Sequence, residues 1–277
     1  MLNYNLGYAC INTELSSRKV KVSTNRTMRR KTFDEKGLDY VSEIILQNVT
    51  DLLTILKWNA ENDIHFFRMS SEMFPWASEY ALEDLKDFDK IEEALFKAGL
   101  FAEEHDIRLT THPGPFNKLC SPNEQVVQNT IRDLEIHGKM MDLLCQPRSP
   151  WAKINIHVGG AYNDKPMALG NFCRNFGRLS EAVRSRLTVE NDDKESLYST
   201  KELYDGIFKE LGIPIVPLSW LFKHGVMFAL WFITVSRDHL NTMIQRSSHK
   251  PTVTLTGNQS IPMVTRWISC LRQNTKR

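Results

Sequence analysis

The sequence predicts an α/β fold, a parallel-stranded (β/α)8 TIM barrel, on three observations. Six short β-prone runs alternate with longer amphipathic stretches across residues 1–216, the pattern of repeated βα units. Three of those runs end on a histidine or a glutamate, at the position where barrels keep their chemistry. A chain of 277 residues with 42% apolar content fills one large α/β domain or two smaller ones, and a single barrel is the simpler choice.

The candidate strands, in order, are 5–10 (NLGYAC), 65–69 (HFFRM), 107–112 (IRLTTH), 153–157 (KINIH), 186–190 (RLTVE) and 213–216 (IPIV). Between the first two, Val41, Ile45, Val49, Leu52 and Leu56 recur at helical spacing and form one apolar stripe to lay on the sheet. After the third, Ser121-Pro122-Asn123-Glu124 reads as a capping box with proline at the first helical position, and Val127, Ile131, Leu134 and Met141 follow on one face. Ser199 and Glu202 form a second capping box, whose helix stops at Gly212 before Pro214. No internal repeat or low-complexity tract interrupts the series.

The pattern degrades after Val216. The stretch 217–235 is bulky and apolar but broken by Lys223 and His224. Its clean apolar part, 225–235, is shorter than the roughly 20 residues a membrane-spanning helix needs, which leaves a buried strand or helix or a membrane-surface segment. Charge divides at the same point. The formal net charge of +2 hides 27 basic against 32 acidic residues in 1–216, and 8 basic against the single Asp238 in 217–277. The chain therefore reads as a barrel unit, 1–216, and a basic segment, 217–277, that is either a nucleic-acid-binding extension or of different origin. The first residues lack a basic stretch followed by an apolar one, so an intracellular protein without a secretory signal is expected, in nucleus or cytoplasm. Cys10, Cys120, Cys145, Cys173 and Cys270 are odd in number, scattered and free of any CxxC pair, which fits a reduced compartment and argues against a cysteine zinc site.

His112, His157 and Glu190 end the third, fourth and fifth strands at spacings of about one βα unit, so their side chains converge on one face. Two imidazoles and a carboxylate suit Zn²⁺, Mn²⁺ or Fe²⁺. Gly159 and Gly160 either let backbone amides approach an anion or make a plain tight turn. Arg68 contacts phosphate or pairs with a carboxylate, and Lys165 faces an anionic backbone or solvent. Asn191 and Asp192 orient a ligand or cap a helix, and Tyr8 and Asn12 contact a base or belong to packing.

The motifs LGYACIN, STNRTMR, FFRMSSEMFPWAS, THPGPF, IHVGGAYNDK and TVENDD, in this order and spacing, resemble the UV-damage endonuclease (UvdE-type) repair nucleases from about Asn5 to Val216. The resemblance implies a (β/α)8 barrel that nicks damaged double-stranded DNA immediately 5′ of UV photoproducts and some other lesions, using clustered divalent metals, typically Mn²⁺. It implies that His112, His157 and Glu190 are metal ligands, with Lys165 in the catalytic set. Tyr8, Asn12, Arg68, Pro115, Phe116, Gly159 and Gly160 would meet DNA and lesion. Two departures stand out. Pro115 and Phe116 occupy the place of the family's Gln-Tyr probe: Phe116 still stacks or wedges, whereas Pro115 lacks the amide. Pro217, Leu218, Ser219 and Trp220 stand where the family continues into an Asp and His ligands, with His224 or His239 as the available replacements, so the last two βα units are incomplete or divergent and sheet edges are exposed. A monomer without membrane attachment is expected. The alternatives are a metal-dependent sugar isomerase of similar barrel design and a non-catalytic lesion-binding or defective product.

Overall fold

The computed structural model describes residues 7–194 and 196–217; the expectations for the rest of the basic segment lie outside the described residues. Every expected run contains a strand: β1 (Gly7–Ala9), β2 (Phe66–Met69), β3 (Arg108–Thr111), β4 (Ile154–His157), β5 (Leu187–Glu190) and β6 (Ile215–Val216). They form one parallel sheet in the order β1-β2-β3-β4-β5-β6, each strand beside its predecessor as in a (β/α) barrel. Among the described residues β1 and β6 are the two edges.

The helices are α1 (Thr13–Ser17), α2 (Arg30–Glu61), α3 (Phe88–Glu104), α4 (Glu124–Leu143), α5 (Lys165–Phe176), α6 (Glu181–Arg184), α7 (Thr200–Leu203) and α8 (Lys209–Leu211), with a wide π turn, Tyr204–Phe208, between the last two. Helix α2 kinks at Gly37, whose φ of 66° favours glycine. Beyond the kink Val41, Ile45, Val49, Leu52, Ile55 and Leu56 are all fully buried. Each contributes about 1.5–3 kcal/mol of burial, and together they fasten α2 to the sheet. The Ser199–Glu202 box is present in both directions, Glu202 N donating to Ser199 Oγ at 3.3 Å and Ser199 N to Glu202 Oε2 at 2.8 Å. Gly212, at φ 70°, ends α8 in the left-handed conformation.

Two boundaries differ from expectation. Strand β3 ends at Thr111, so His112 is the residue just beyond it. Helix α4 is capped by Asn123, not Ser121. The Asn123 side chain accepts from Gln125 N at 2.9 Å and Val126 N at 3.4 Å, while Ser121 Oγ is occupied by Asn123 N at 3.1 Å in a turn that precedes the helix and leaves Pro122 outside it.

The core lies between sheet and helices in two clusters. One joins α2, α3 and Ile136, Met140, Met141 and Leu143 of α4 to β2 and β3; the other joins Leu134 of α4, α5, α6 and α7 to β4, β5 and β6. Outward residues of the strands, such as Phe67, Leu109, Ile154, Ile156, Leu187 and Val189, supply them.

Candidate metal centre

Alternation along a strand sends the other residues to the inner face. Asn155 and His157 on β4, with Thr188 and Glu190 on β5, alternate with the core residues Ile154, Ile156, Leu187 and Val189, and His157 and Glu190 are register partners. His112, one residue past β3, joins them. His112 Nε2 lies 3.6 Å and His157 Nε2 3.4 Å from the same oxygen, Glu190 Oε1. One ligand atom from each of the three residues falls within 4.8 Å of the others. Ligands held at roughly 2.1 Å around a tetrahedral ion are about 3.4 Å apart, so the two histidine-to-Glu190 spacings and the chemistry of the donors suit a divalent metal.

The surroundings orient these donors. Asn155 Nδ2 donates to Glu190 Oε2, and Asn155 is itself held by Thr188 Oγ1, which donates to its Oδ1 at 2.7 Å. With hydrogen on Nδ1, His112 donates to Pro113 O at 3.1 Å and turns the Nε2 lone pair toward Glu190. His157 Nδ1 is buried and lies 3.3 Å from Asp192 Oδ1, a charge contact that is not aligned as a hydrogen bond. Asp192, expected either to orient a ligand or to cap a helix, stands beside His157 Nδ1 and ties its own loop by accepting from Tyr198 N at 3.4 Å. Burial works to raise the Glu190 carboxyl, but the hydrogen bond and charge of His112, the charge of His157 and Asn155 outweigh it, so Glu190 sits below the usual carboxylate range. Burial raises Asp192 against the pull of His157.

The remaining candidates are placed as follows. Lys165 begins α5, where its ammonium donates to Leu197 O and pairs with Glu202 at 2.8 Å; that ammonium, with the Ser199 amide, holds the Glu202 carboxyl down at about 2. Gly159 has φ 111°, and a side chain there would press on Cys120 Sγ and Lys118. Gly160 offers its carbonyl to Cys120 Sγ at 3.4 Å and Tyr198 Oη at 3.2 Å. Tyr8 packs on Phe67 with ring centroids 5.1 Å apart, donates to Asn59 Oδ1 on α2 at 2.7 Å, and accepts from Asn12 Nδ2 at 2.9 Å. Asn12 in turn caps α1 by accepting from Leu15 N at 2.9 Å. Arg68 is half-buried on β2, in register with Thr110.

Pro115 and Phe116 form an exposed tip, Phe116 being 85% accessible. Asn117 anchors that tip, its Nδ2 donating to Gly114 O at 3.1 Å and to Asp133 Oδ2 on α4 at 2.6 Å, while Lys118 N donates to Thr130 Oγ1 at 2.9 Å. Asn155, Thr188 and Lys153 were not singled out by motif. Their signal is the period-2 polarity of KINIH and RLTVE, which puts Lys153, Asn155 and His157 on one face of β4 and Thr188 with Glu190 on the same face of the neighbouring β5.

A family model described as "UV-endonuclease UvdE" matches residues 4–256, past the charge boundary at Val216. The UV-damage endonuclease of Schizosaccharomyces pombe is 39% identical over 217 residues, 78% of this chain and 35% of its own length. The UV DNA damage endonuclease of Clostridium perfringens is 33% identical over 212 residues, 76% of this chain and 48% of its own. The chain thus spans about a third to a half of these relatives. A solved structure described as the crystal structure of SacUVDE superposes with a TM-score of 0.65 at 32% identity, covering 77% of this chain and 68% of that one. With the inner-face cluster in a parallel sheet of the same design, these matches establish that the chain belongs to the UV-endonuclease UvdE family.

Proposed function

We propose that this chain is a metal-dependent endonuclease that hydrolyses the backbone of damaged double-stranded DNA on the 5′ side of UV photoproducts and other lesions. The observation that carries this reading is the convergence of His112, His157 and Glu190 around one carboxylate oxygen, in a chain whose relatives are named UV-damage endonucleases. A bound divalent ion, Mn²⁺ in this proposal, supplies Lewis acidity toward a phosphate oxygen. The chain's own contribution is positioning. The hydrogen bond to Pro113 O orients His112, the strand-end register pairs His157 with Glu190, and Asn155, held by Thr188, fixes the Glu190 carboxylate by donating to its Oε2.

Phe116 is assigned the wedge beside the lesion, where a damaged pair costs less to unstack than an intact one. Arg68 and the Gly159–Gly160 backbone are assigned to phosphate. Tyr8 and Asn12 act as a hydrogen-bonded pair at the lesion-facing mouth, and Lys165 acts from its ion pair with Glu202.

A second reading, lesion binding without cleavage, is favoured by Pro217, Leu218, Ser219 and Trp220, which supply no carboxylate or imidazole where the resemblance implies further ligands. Incubation of the full chain and Mn²⁺ with UV-irradiated and undamaged supercoiled plasmid separates the readings. The nuclease nicks only irradiated plasmid and loses this with His157→Ala or Glu190→Gln. Damage-selective binding without nicking at any Mn²⁺ concentration supports the second reading. Ketose formation from an aldose, with no DNA selectivity, overturns both in favour of an isomerase.

A further inference from the structure

The segment 18–31 contains seven basic residues, Arg18, Lys19, Lys21, Arg26, Arg29, Arg30 and Lys31, and no acid, although residues 1–216 as a whole are acidic. This segment runs from the end of α1, the short helix that follows β1, into the first residues of α2. All strands are parallel, so it lies at the same end of the sheet as His112, His157 and Glu190.

The loop is held in shape by buried polar groups of α2. Asp51 Oδ2 accepts from Ser23 N at 2.8 Å and pairs with Arg26 at 2.7 Å. Asn48 accepts from Arg26 N at 3.1 Å and donates to Arg26 O at 3.0 Å, and Trp76 Nε1 donates to Met28 O at 3.1 Å. Asp51, Asn48 and Ser23 are all buried.

Within this frame the cations divide by role. Arg26 braces the loop, while Arg18, Arg30 and Lys31 have carboxylate partners in Glu14, Asp34 with Glu79, and Glu35. Lys19, Lys21 and Arg29 are exposed and have no ion pair among the described residues. Val20, between the two lysines, is 79% accessible. Three unneutralised cations on a pre-shaped loop at the same end of the sheet as the His112–His157–Glu190 cluster form a surface for a regular row of anions, with an apolar side chain between two of them to lie against sugar.

We infer that Lys19, Lys21 and Arg29 form a sequence-independent phosphate clamp that grips the DNA backbone flanking the lesion. The inference rests on the DNA-directed reading above and adds its backbone contact surface. Such contacts set affinity and salt dependence without distinguishing damaged from intact DNA.

The test uses the full chain in buffer without divalent metal and measures affinity for undamaged and UV-irradiated duplexes by fluorescence anisotropy from low to moderate salt. The triple variant K19A/K21A/R29A should flatten the slope of log affinity against log salt by about 2 to 3, close to one per lost phosphate contact. It should weaken both duplexes by the same factor, and the charge-conserving K19R/K21R/R29K should restore the slope. The control K57A/K97A/K209A changes three exposed lysines, in the second halves of α2 and α3 and at the first residue of α8, and should leave the slope unchanged. Circular dichroism melting confirms that the variants fold. An unchanged slope in the first variant, or equal flattening in the control, overturns the clamp. A wild-type chain that binds both duplexes equally overturns lesion recognition yet leaves the slope comparison on undamaged DNA decisive, and one that binds neither overturns both.

Discussion

Lys153 stands at the foot of β4 on the face that carries Asn155 and His157, and it is 1% accessible. Burial, with Arg108 nearby, pushes its ammonium down to about 8, against the opposing pull of Glu190. An unfolded lysine titrates near 10.5, so between about 8 and 10.5 the unfolded chain binds a proton that the folded chain has released, and stability from this group rises with pH across that window. Below about 8 the folded chain bears the cost of a buried ammonium, on the order of 3 kcal/mol. The stability of K153M relative to wild type should therefore fall by roughly this amount from pH 7 to 10.5. Denaturant unfolding of both proteins at several pH values reads the difference, and a pH-independent gap would sink the assignment. The lysine was legible as part of the alternating KINIH run. Its burial was not, because an inner strand position says nothing about how many neighbours close over it.

Between elements, the decisive contacts are close approaches and buried charges that leave faint marks in sequence. Gly99 on α3 faces the end of α4, where a side-chain carbon would lie on the carbonyl oxygen of Leu144. Backbone cannot yield as a side-chain tip can, so G99A should force the helices apart and cost about 1–3 kcal/mol. A lowered denaturation midpoint at unchanged m-value checks this, and a neutral effect would show that the crossing is looser than described. Arg186, before β5, is fully buried and ties that strand's start to α4 and α6, donating to Gln146 O at 2.6 Å and Ala182 O at 2.9 Å and pairing with Asp142 at 2.8 Å. R186M should destabilise by about 3–5 kcal/mol, since it strands the partners of a buried charge; a thermal melt within a degree of wild type would contradict that. The Ser199–Glu202 cap and the Gly212 stop were readable because one local signal governs each. The α4 boundary was not, because Ser121 and Asn123 are both good caps and the turn between them chose.

For the whole molecule, a ligand that binds only the folded chain stabilises it by mass action. Mn²⁺ at a hundredfold excess over its dissociation constant should add about 2.7 kcal/mol, seen as a concentration-dependent rise in melting temperature. H157A should abolish the rise, and a rise that survives in H157A would place the metal elsewhere. No helix among the described residues is long and apolar enough to cross a membrane. By itself the sequence determined the six strands, the α2 stripe and the inner-face trio, because period-2 and period-3.6 patterns and strand-end positions are local properties written in consecutive residues. Only the tertiary structure decided that Glu190 Oε1 lies between two imidazoles, that Asn117 ties the Phe116 tip to Asp133, and which cations of 18–31 stay unpaired. Those outcomes depend on distances between segments far apart in the chain, set by how helices and sheet pack and not by any short run of residues.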